Sequence, residues 1–321
     1  MRTTRLFWTG VRAVEASTSK IASTRVSDFW ACWPPGPLDR EKRRSISERG
    51  SVTVLVTRID SPSMTAILLD VDGVLIVSGE AINGAPEAVR RLRADGHRLR
   101  FVTNNTTQSR QMLADDLRRL NFELDDDELQ TTGRAAAREL AGRRVLALTM
   151  PAVLDDLGDV ELVGEDAEAV LLGGADETEE TNRVFSYMNL ARAFHELEAG
   201  AELYSLHKNR WWQTSRGPLL DSGCFVAGLE YAADVDATVV GKPSAPYFAA
   251  ALEALDADAE MTWMVGDDIE ADVEGAQKHG LKTALVRTGK FRPDVVERGR
   301  TRPDVILSSI ADLPDWLESQ H

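Results

Sequence analysis

The chain has 321 residues, of which 43% are hydrophobic, and a formal net charge of −15 at pH 7. This length and composition are typical of a globular protein with two domains, and no stretch reaches the roughly 18 apolar residues that a membrane span needs. Two cysteines, Cys32 and Cys224, are too few for a disulfide framework. We therefore expect a cytoplasmic protein without a membrane partner.

The charge is divided unevenly along the chain. Residues 1–63 contain 11 Lys and Arg against 6 Asp and Glu, whereas the residues from Met64 onward contain 26 against 46. Such an acidic surface argues against nucleic acid as a partner. It is typical of a protein adapted to high salt, where repulsion between like charges is screened.

Residues 1–63 show no sustained helical or strand period. They contain three tryptophans, a Pro-Pro-Gly-Pro turn at 34–37 and a basic cluster at 40–44. A secretory signal is not expected, because no apolar run follows a charged start. We interpret the segment as a disordered leader or a wrongly assigned start, with a basic arm that binds a partner as the alternative. The folded protein is expected to begin near Met64.

The first predicted strand, Ala66–Leu69, ends at two carboxylates and a glycine, Asp70, Asp72 and Gly73. A short apolar run of this kind predicts a buried parallel strand whose carboxyl end reaches a site. Because side chains alternate along a strand, the two carboxylates are expected on one face. Carboxylates this close repel unless a cation or proton separates them. The motif indicates a divalent-metal or acid/base site, with a plain turn as the alternative.

A helix opens at Gly84-Ala85-Pro86 and ends at Asp95-Gly96. The next predicted strand, Leu99–Val102, is followed by a Thr-Asn-Asn-Thr-Thr run at 103–107 and a helix from about Ser109 to Leu120. Neutral hydrogen-bond donors such as these, placed just before the N-terminus of a helix, are suited to binding an anion. The same run is also typical of a routine helix N-cap.

A second α/β pattern lies between Arg144 and Val239. It contains predicted strands at Val145–Leu148, Ala169–Gly174 and Ala201–Leu206 and one long amphipathic helix from Thr181 to Leu197. The last strand is expected to end at 207–212, where cations stand beside two aromatics; His207, Lys208 and Trp211 are the candidates for substrate selection. The alternative is a solvated strand end with its tryptophan packed into this domain.

Two further motifs follow. Lys242 comes directly after a strand at Thr238–Val240, between glycine and proline, and a lysine held there can neutralise a phosphate. The strand Trp263–Gly266 ends at Asp267, Asp268 and, four residues on, Asp272, which are oxygen ligands of the kind Mg²⁺ requires. A helix toward His279-Gly280 is expected to follow these aspartates. A surface lysine and an acidic helix N-terminus are the alternatives. The chain closes with strands at 283–286 and 305–307 and a helix from Leu313.

These four motifs, in this order, resemble those of the haloacid dehalogenase (HAD) superfamily. The resemblance implies a Rossmann-like parallel-sheet α/β core formed by residues 64–142 and 240–321, with an inserted α/β cap at 143–239. The cap is similar in size and position to that of subfamily IIA. Much of that subfamily has an Asn-Pro-Asp tripeptide where this chain has 207–212. The local pattern is more similar to the branch that includes the phospholysine/phosphohistidine inorganic pyrophosphate phosphatase.

The resemblance also implies roles for the motif residues. Asp70 would attack the phosphoryl group and become an aspartyl-phosphate, while Asp72 would act as general acid and base. Mg²⁺ would be bound by Asp70, Asp267 and the backbone carbonyl of Asp72, with Asp272 in support. The expected substrate contacts in the core are Lys242, Thr103, Asn104 and Asn105. The role of Asp268 is left open.

The implied function is Mg²⁺-dependent hydrolysis of small phosphorylated metabolites. One alternative is a phosphomutase or phosphotransferase that uses the same intermediate, and another is a non-catalytic binding protein on the same fold. A dehalogenase is disfavoured because Asp72 is present as acid and base. A homodimer through the cap is expected from the family.

Overall fold

The computed structural model describes residues 64–214 and 217–320, so the predicted leader at 1–63 lies outside the described residues. In chain order, the strands are β1 (Ala66–Asp70), β2 (Ile76–Val77), β3 (Glu80–Ala81), β4 (Arg98–Val102), β5 (Leu129–Gln130), β6 (Arg144–Thr149), β7 (Glu161–Leu162), β8 (Ala169–Gly173), β9 (Glu202–Ser205), β10 (Trp211–Thr214), β11 (Gly217–Leu220), β12 (Thr238–Val239), β13 (Thr262–Gly266), β14 (Lys282–Val286) and β15 (Val305–Leu307). The α-helices are α1 (Ala85–Ala94), α2 (Arg110–Arg119), α3 (Thr132–Glu139), α4 (Pro151–Leu154), α5 (Glu179–Val184), α6 (Tyr187–Glu198), α7 (Gly223–Ala233), α8 (Ala245–Leu255), α9 (Gly275–Lys278), α10 (Pro293–Arg298) and α11 (Leu313–Glu318). Within this described part, no helix combines the length and apolarity needed to cross a bilayer.

The larger sheet has six parallel strands in the order β15-β14-β13-β1-β4-β5, with β1 near its centre. Every residue of β1 is buried. Ile67 and Leu69 pack on one face with α1 and α2, while Leu68 packs on the other with Tyr247 and Phe248 of α8. Helices on both faces explain why β1 is a continuous apolar run rather than an alternating one.

The second sheet has five parallel strands in the order β12-β9-β8-β6-β7, all from the interval between Arg144 and Val239. Its central strand β8 is also buried on both faces. The fold class is therefore confirmed: a parallel α/β core carries an inserted α/β unit, called the cap here. The boundaries of the cap at 143 and 239 stay a prediction.

Three local predictions were wrong. The single helix predicted over 181–197 is two helices, α5 and α6, because Phe185 leaves the helix to stack on Phe225 at 4.2 Å between ring centroids. The next residue, Ser186, then caps α6 by accepting a hydrogen bond from the Asn189 amide. The segment 207–212 is not a strand end, since β9 stops at Ser205 and Trp211 begins the hairpin β10–β11.

The helix expected after the last aspartates is also different. Residues Ile269–Glu274 form a π-helix, and only the short helix α9 continues it. The first turn is held by Asp268, whose Oδ1 accepts hydrogen bonds from the amides of Glu270 and Ala271. This wider helix starts beside β13 and places Asp272 under the carboxyl end of that strand.

Candidate active site

The centre of the site, called the core floor here, is formed by Asp70, Lys242, Asp267 and Asp272. Asp70 ends β1 and Asp267 follows β13, and these strands are parallel neighbours, so their carboxyl ends meet. One carboxylate oxygen from each of the three aspartates lies within 4.8 Å of the others. The three residues are only 6%, 3% and 0% exposed for Asp70, Asp267 and Asp272.

Lys242 lies between two of these aspartates. Its Nζ donates to Asp70 Oδ1 at 2.7 Å and to Asp272 Oδ1 at 2.8 Å. Burial disfavours its charged form, but the charges of Asp272 and Asp70 outweigh burial and raise its pKa. Asn104 fixes the backbone around Lys242, because its side-chain amide accepts from the Lys242 N–H and donates to the Lys242 carbonyl, both at 2.9 Å.

Burial and mutual repulsion raise the pKa values of two carboxylates of the core floor, Asp267 and Asp70. Burial and then the charge of Asp272 raise the pKa of Asp267 to about 7, against a hydrogen bond from the Lys290 amide. The same two causes, burial and Asp272, raise the pKa of Asp70 well above its usual range. Bound protons or a cation would relieve this repulsion.

The donor set fits Mg²⁺. It offers hard carboxylate oxygens at one point, as this ion requires, and the backbone around Asp267 keeps space for them. Gly73 and Gly289 lie in the left-handed region at φ 86° and 57°, and a Cβ on either would approach Asp267 Oδ2 to 1.9 Å. Only glycine is compatible with these two positions, Gly73 and Gly289, which are called the cradle around Asp267 here.

Asp72 lies beyond β1, on a turn that faces a cleft of about 410 Å³. Its side chain is open to the cleft, and Thr103 Oγ1 donates to its Oδ2 at 3.3 Å. The surrounding protein still removes enough water to raise its pKa, against the opposing charge of Lys290 and the hydrogen bond from Thr103. A carboxyl with a raised pKa, open to a cleft, is suited to exchange protons with a bound molecule.

The 103–107 run is held by hydrogen bonds to Tyr247 of α8 and by local hydrogen bonds to Asn105. The Thr103 backbone is held by the Tyr247 hydroxyl, which accepts from the Thr103 N–H at 3.0 Å and lies 2.9 Å from the Thr103 carbonyl. Asn105 Oδ1 accepts from the amides of Thr107 and Gln108, both at 3.1 Å. Asn104 and Asn105 line the cleft, whereas Thr103 is fully buried beneath it.

The cap supplies the opposite wall of the cleft through residues from three of its segments, namely Ala175, Asp176, His207, Asn209, Trp212 and Asp221. His207 is 2% exposed, and burial lowers its pKa. Its Nδ1 accepts from the Asn209 amide at 3.2 Å, so in the neutral ring Nε2 carries the proton. Nε2 lies 3.1 Å from Oγ1 of Thr106 in the core loop. This buried contact joins cap and core beside the cleft.

The two other residues predicted for substrate selection lie elsewhere. Lys208 and Trp211 line an adjoining cavity of about 460 Å³, called the side cavity here, rather than the cleft. Lys208 Nζ is paired with Glu230 at 2.6 Å. Because neighbouring side chains of a strand point to opposite faces, Trp211 faces the side cavity while Trp212 faces the cleft.

Sequence reasoning missed Lys290. This residue follows β14, the strand next to β13, and its ammonium lies 3.3 Å from Asp268 Oδ2. The charge of Lys290 and amide hydrogen bonds outweigh burial and lower the pKa of Asp268. Asp268 thus caps the π-helix and pairs with Lys290. A Gly-Lys pair after a strand of the same sheet was the available signal.

Comparison with known proteins identifies the family. Residues 67–163 match the haloacid dehalogenase-like hydrolase family and residues 239–313 the HAD-hydrolase-like family. The chain is 39% identical over 261 residues to the phospholysine phosphohistidine inorganic pyrophosphate phosphatase of Xenopus laevis, covering 78% of this chain and 94% of that protein. It is also 39% identical over 257 residues to the haloacid dehalogenase-like hydrolase domain-containing protein 2 of Bos taurus, covering 79% and 96%. The chain belongs to subfamily IIA of the HAD superfamily.

Solved structures agree with this assignment to the HAD phosphatases. The p-nitrophenyl phosphatase of Archaeoglobus fulgidus superposes with a TM-score of 0.73 and 26% identity, covering 79% of this chain and 100% of that one. The glycerol phosphate phosphatase of Mycobacterium tuberculosis in complex with magnesium superposes with a TM-score of 0.69 and 27% identity, covering 79% of this chain and 77% of that one. This HAD protein is therefore an enzyme of the phosphatase type.

Proposed function

We propose that this HAD phosphatase hydrolyses small phosphorylated metabolites, depends on Mg²⁺ and forms an aspartyl-phosphate on Asp70. The buried carboxylate triad around Lys242 is the observation that supports the proposal. Asp70, Asp267, Asp272 and the carbonyl of Asp72 would hold the ion. When bound, Mg²⁺ would reduce the repulsion between an anionic nucleophile and a phosphate ester.

The surroundings of Asp70 favour one attacking oxygen. Its Oδ1 accepts from the Val71 amide at 2.8 Å and from Lys242, which leaves Oδ2 to attack phosphorus. The bond from phosphorus to the leaving oxygen breaks while Asp72 donates its proton to that oxygen. Asp72 then removes a proton from water, which attacks phosphorus and releases inorganic phosphate from Asp70.

The size of the cleft supports a small substrate. About 410 Å³ lies between core and cap, within the range of small-molecule sites. The named substrates of the relatives, pyrophosphate and phosphorylated amino acids for one and p-nitrophenyl or glycerol phosphate for others, share only a small phosphorylated group. The cap would exclude bulk water and select the leaving group.

The test is hydrolysis of 4-nitrophenyl phosphate by the full chain, with Mg²⁺ and with a chelator, beside Asp70→Asn. We expect activity only with Mg²⁺ and a loss of at least about a thousandfold in the variant. A ³²P label retained on acid-quenched wild type, but absent from Asp70→Asn, would support the aspartyl-phosphate. Product esters without free phosphate would favour the phosphomutase or phosphotransferase, and an equal, background signal from both chains would favour the binding protein.

We also propose a homodimer through the cap. Three large side chains of the cap, Tyr187, Met188 and Tyr231, are 82%, 70% and 92% exposed on α6 and α7, and a second copy of the chain would cover them. Light scattering after gel filtration should show a dimer that Tyr231→Glu weakens. Met261→Glu, at an exposed site of the core, is the matched control. Cytoplasmic location and adaptation to high salt stay predictions.

A further inference from the structure

Lys290 is the second lysine of the active site, and its position differs from that of Lys242. Lys242 is buried and both of its carboxylate partners belong to the core floor. The Lys290 side chain is 25% exposed and lines both the cleft and the side cavity. Among the described residues, Asp268 at 3.3 Å is the ion-pair partner of its ammonium.

The position of Lys290 in the cleft places it towards the leaving group. Its side chain lines the cleft together with Asp72 of the core and His207 of the cap wall, whereas the ammonium of Lys242 lies buried between Asp70 and Asp272. In the proposed mechanism, Asp72 protonates the leaving oxygen. A cation near Asp72 and the cap is therefore close to whatever that oxygen carries, while Lys242 serves the phosphoryl side.

In both carboxylates of the cap wall, Oδ1 accepts hydrogen bonds from within the cap. Asp176 Oδ1 accepts from the hydroxyls of Thr178 and Thr181 at 2.7 and 2.8 Å. Asp221 Oδ1 accepts from the Ser222 amide at 2.7 Å and lies 3.7 Å from His207.

Within the part of the chain that the structure describes, the ammonium of Lys290 is held by a single ion pair, with Asp268 at 3.3 Å, which is longer than a usual charge-assisted hydrogen bond. Its remaining N–H groups can donate to a ligand.

We propose that Lys290 binds the leaving group and selects phosphate esters whose leaving group is itself anionic, such as a carboxylate or a second phosphoryl group. The proposal rests on the proposed phosphatase function. A structural role, in which Lys290 only neutralises Asp268, would affect all substrates alike. A selective role affects them according to their charge.

The test uses three esters with the same two-carbon skeleton whose leaving groups differ in charge. The leaving group is anionic in 2-phosphoglycolate, neutral in ethyl phosphate and cationic in phosphoethanolamine. With Mg²⁺, kcat/KM of the wild type should fall in that order. Lys290→Met should lower the value for 2-phosphoglycolate about tenfold or more beyond any loss that it causes for ethyl phosphate, and Lys290→Arg should restore most of the preference. Lys278→Met, which removes an exposed ion pair with Glu274, is the matched control.

A binding experiment separates this proposal from the phosphatase proposal. Calorimetry of 2-phosphoglycolate and ethyl phosphate with Asp70→Asn, with and without Lys290→Met, does not depend on turnover. Selective loss of 2-phosphoglycolate binding would support the role of Lys290 even if the wild type released no phosphate. An equal loss of binding for both esters, or no loss, would overturn the role of Lys290. In the kinetic test, an equal loss for all three esters or a wild-type preference for phosphoethanolamine would do the same.

Discussion

The core floor and the cap wall enclose the same cleft, but they hold their side chains differently. In the floor, Lys242 is bonded to Asp70 at the end of β1 and to Asp272 in the π-helix that follows β13, so its partners are fixed by regular structure. In the cap wall, the side chains of neighbouring residues face different cavities: Trp212 faces the cleft and Trp211 faces the side cavity. We infer from this comparison that the carboxyl edge of the core sheet supplies the chemistry, and that the hairpin and its flanking loop contribute to selectivity together with Lys290.

The largest effect is expected from removing the cation of the floor. Lys242→Met leaves buried carboxylates without their shared partner, which typically costs about 3–5 kcal/mol of stability. Activity on 4-nitrophenyl phosphate should fall by about a hundredfold or more, because a donor to the transferring group is lost. Urea unfolding and steady-state kinetics measure the two effects. Lys282→Met, an exposed lysine over the Trp263 ring, is the control; equal effects from both variants would contradict the assigned role.

A smaller loss is expected from filling the cradle around Asp267. In Gly289→Ala, the new Cβ would meet Asp267 Oδ2 and the residue would also be strained at its positive φ. Mg²⁺ affinity should fall by about 10–100-fold, the usual effect of disturbing a ligand's support. Gly142→Ala is the matched control, because Gly142 has φ 73° and nothing within 4 Å of a Cβ. Calorimetric titration with Mg²⁺ that gives equal affinities for both variants would contradict the cradle.

The raised pKa of Asp267 also predicts that the stability of the metal-free protein depends on pH. The folded pKa of Asp267 is raised to about 7 from a usual 3.8, so between these values the folded state binds more protons than the unfolded state. Stability without metal should therefore fall as pH rises through that window, by up to about 1.4 kcal/mol per pH unit, and level off above it. Saturating Mg²⁺ should remove the fall, since the ion binds the ionised carboxylate. Chelator-treated Asp267→Asn should show a smaller slope, because Asp70 and Asp72, whose pKa values are also raised, still contribute; a variant with the wild-type slope would assign the dependence to those groups.

The same contrast explains what the sequence could predict. Asp70 and Asp267 were predictable because a buried apolar run reveals a parallel strand, and the site of such a sheet lies at strand ends. The π-helix was not, because periodicity over six residues does not separate it from an α-helix. Lys290 was missed because the Gly-Lys pair after β14 is too short a pattern to be distinguished from an ordinary turn. The side that each tryptophan faces depends on where β10 begins, and a one-residue error reverses it.

The smallest effect, and the one that most sharpens the comparison, concerns these two tryptophans. Trp212→Ala removes an aromatic surface from the cleft, so kcat/KM for an aryl ester should fall by about five- to tenfold, as for a single aromatic contact. Trp211→Ala opens the side cavity instead and should change the same value less. Because both residues belong to β10, each variant tests the same hairpin, and thermal unfolding of both checks that the hairpin itself is retained. A larger loss from Trp211→Ala would return substrate selection to the residue that the sequence alone favours.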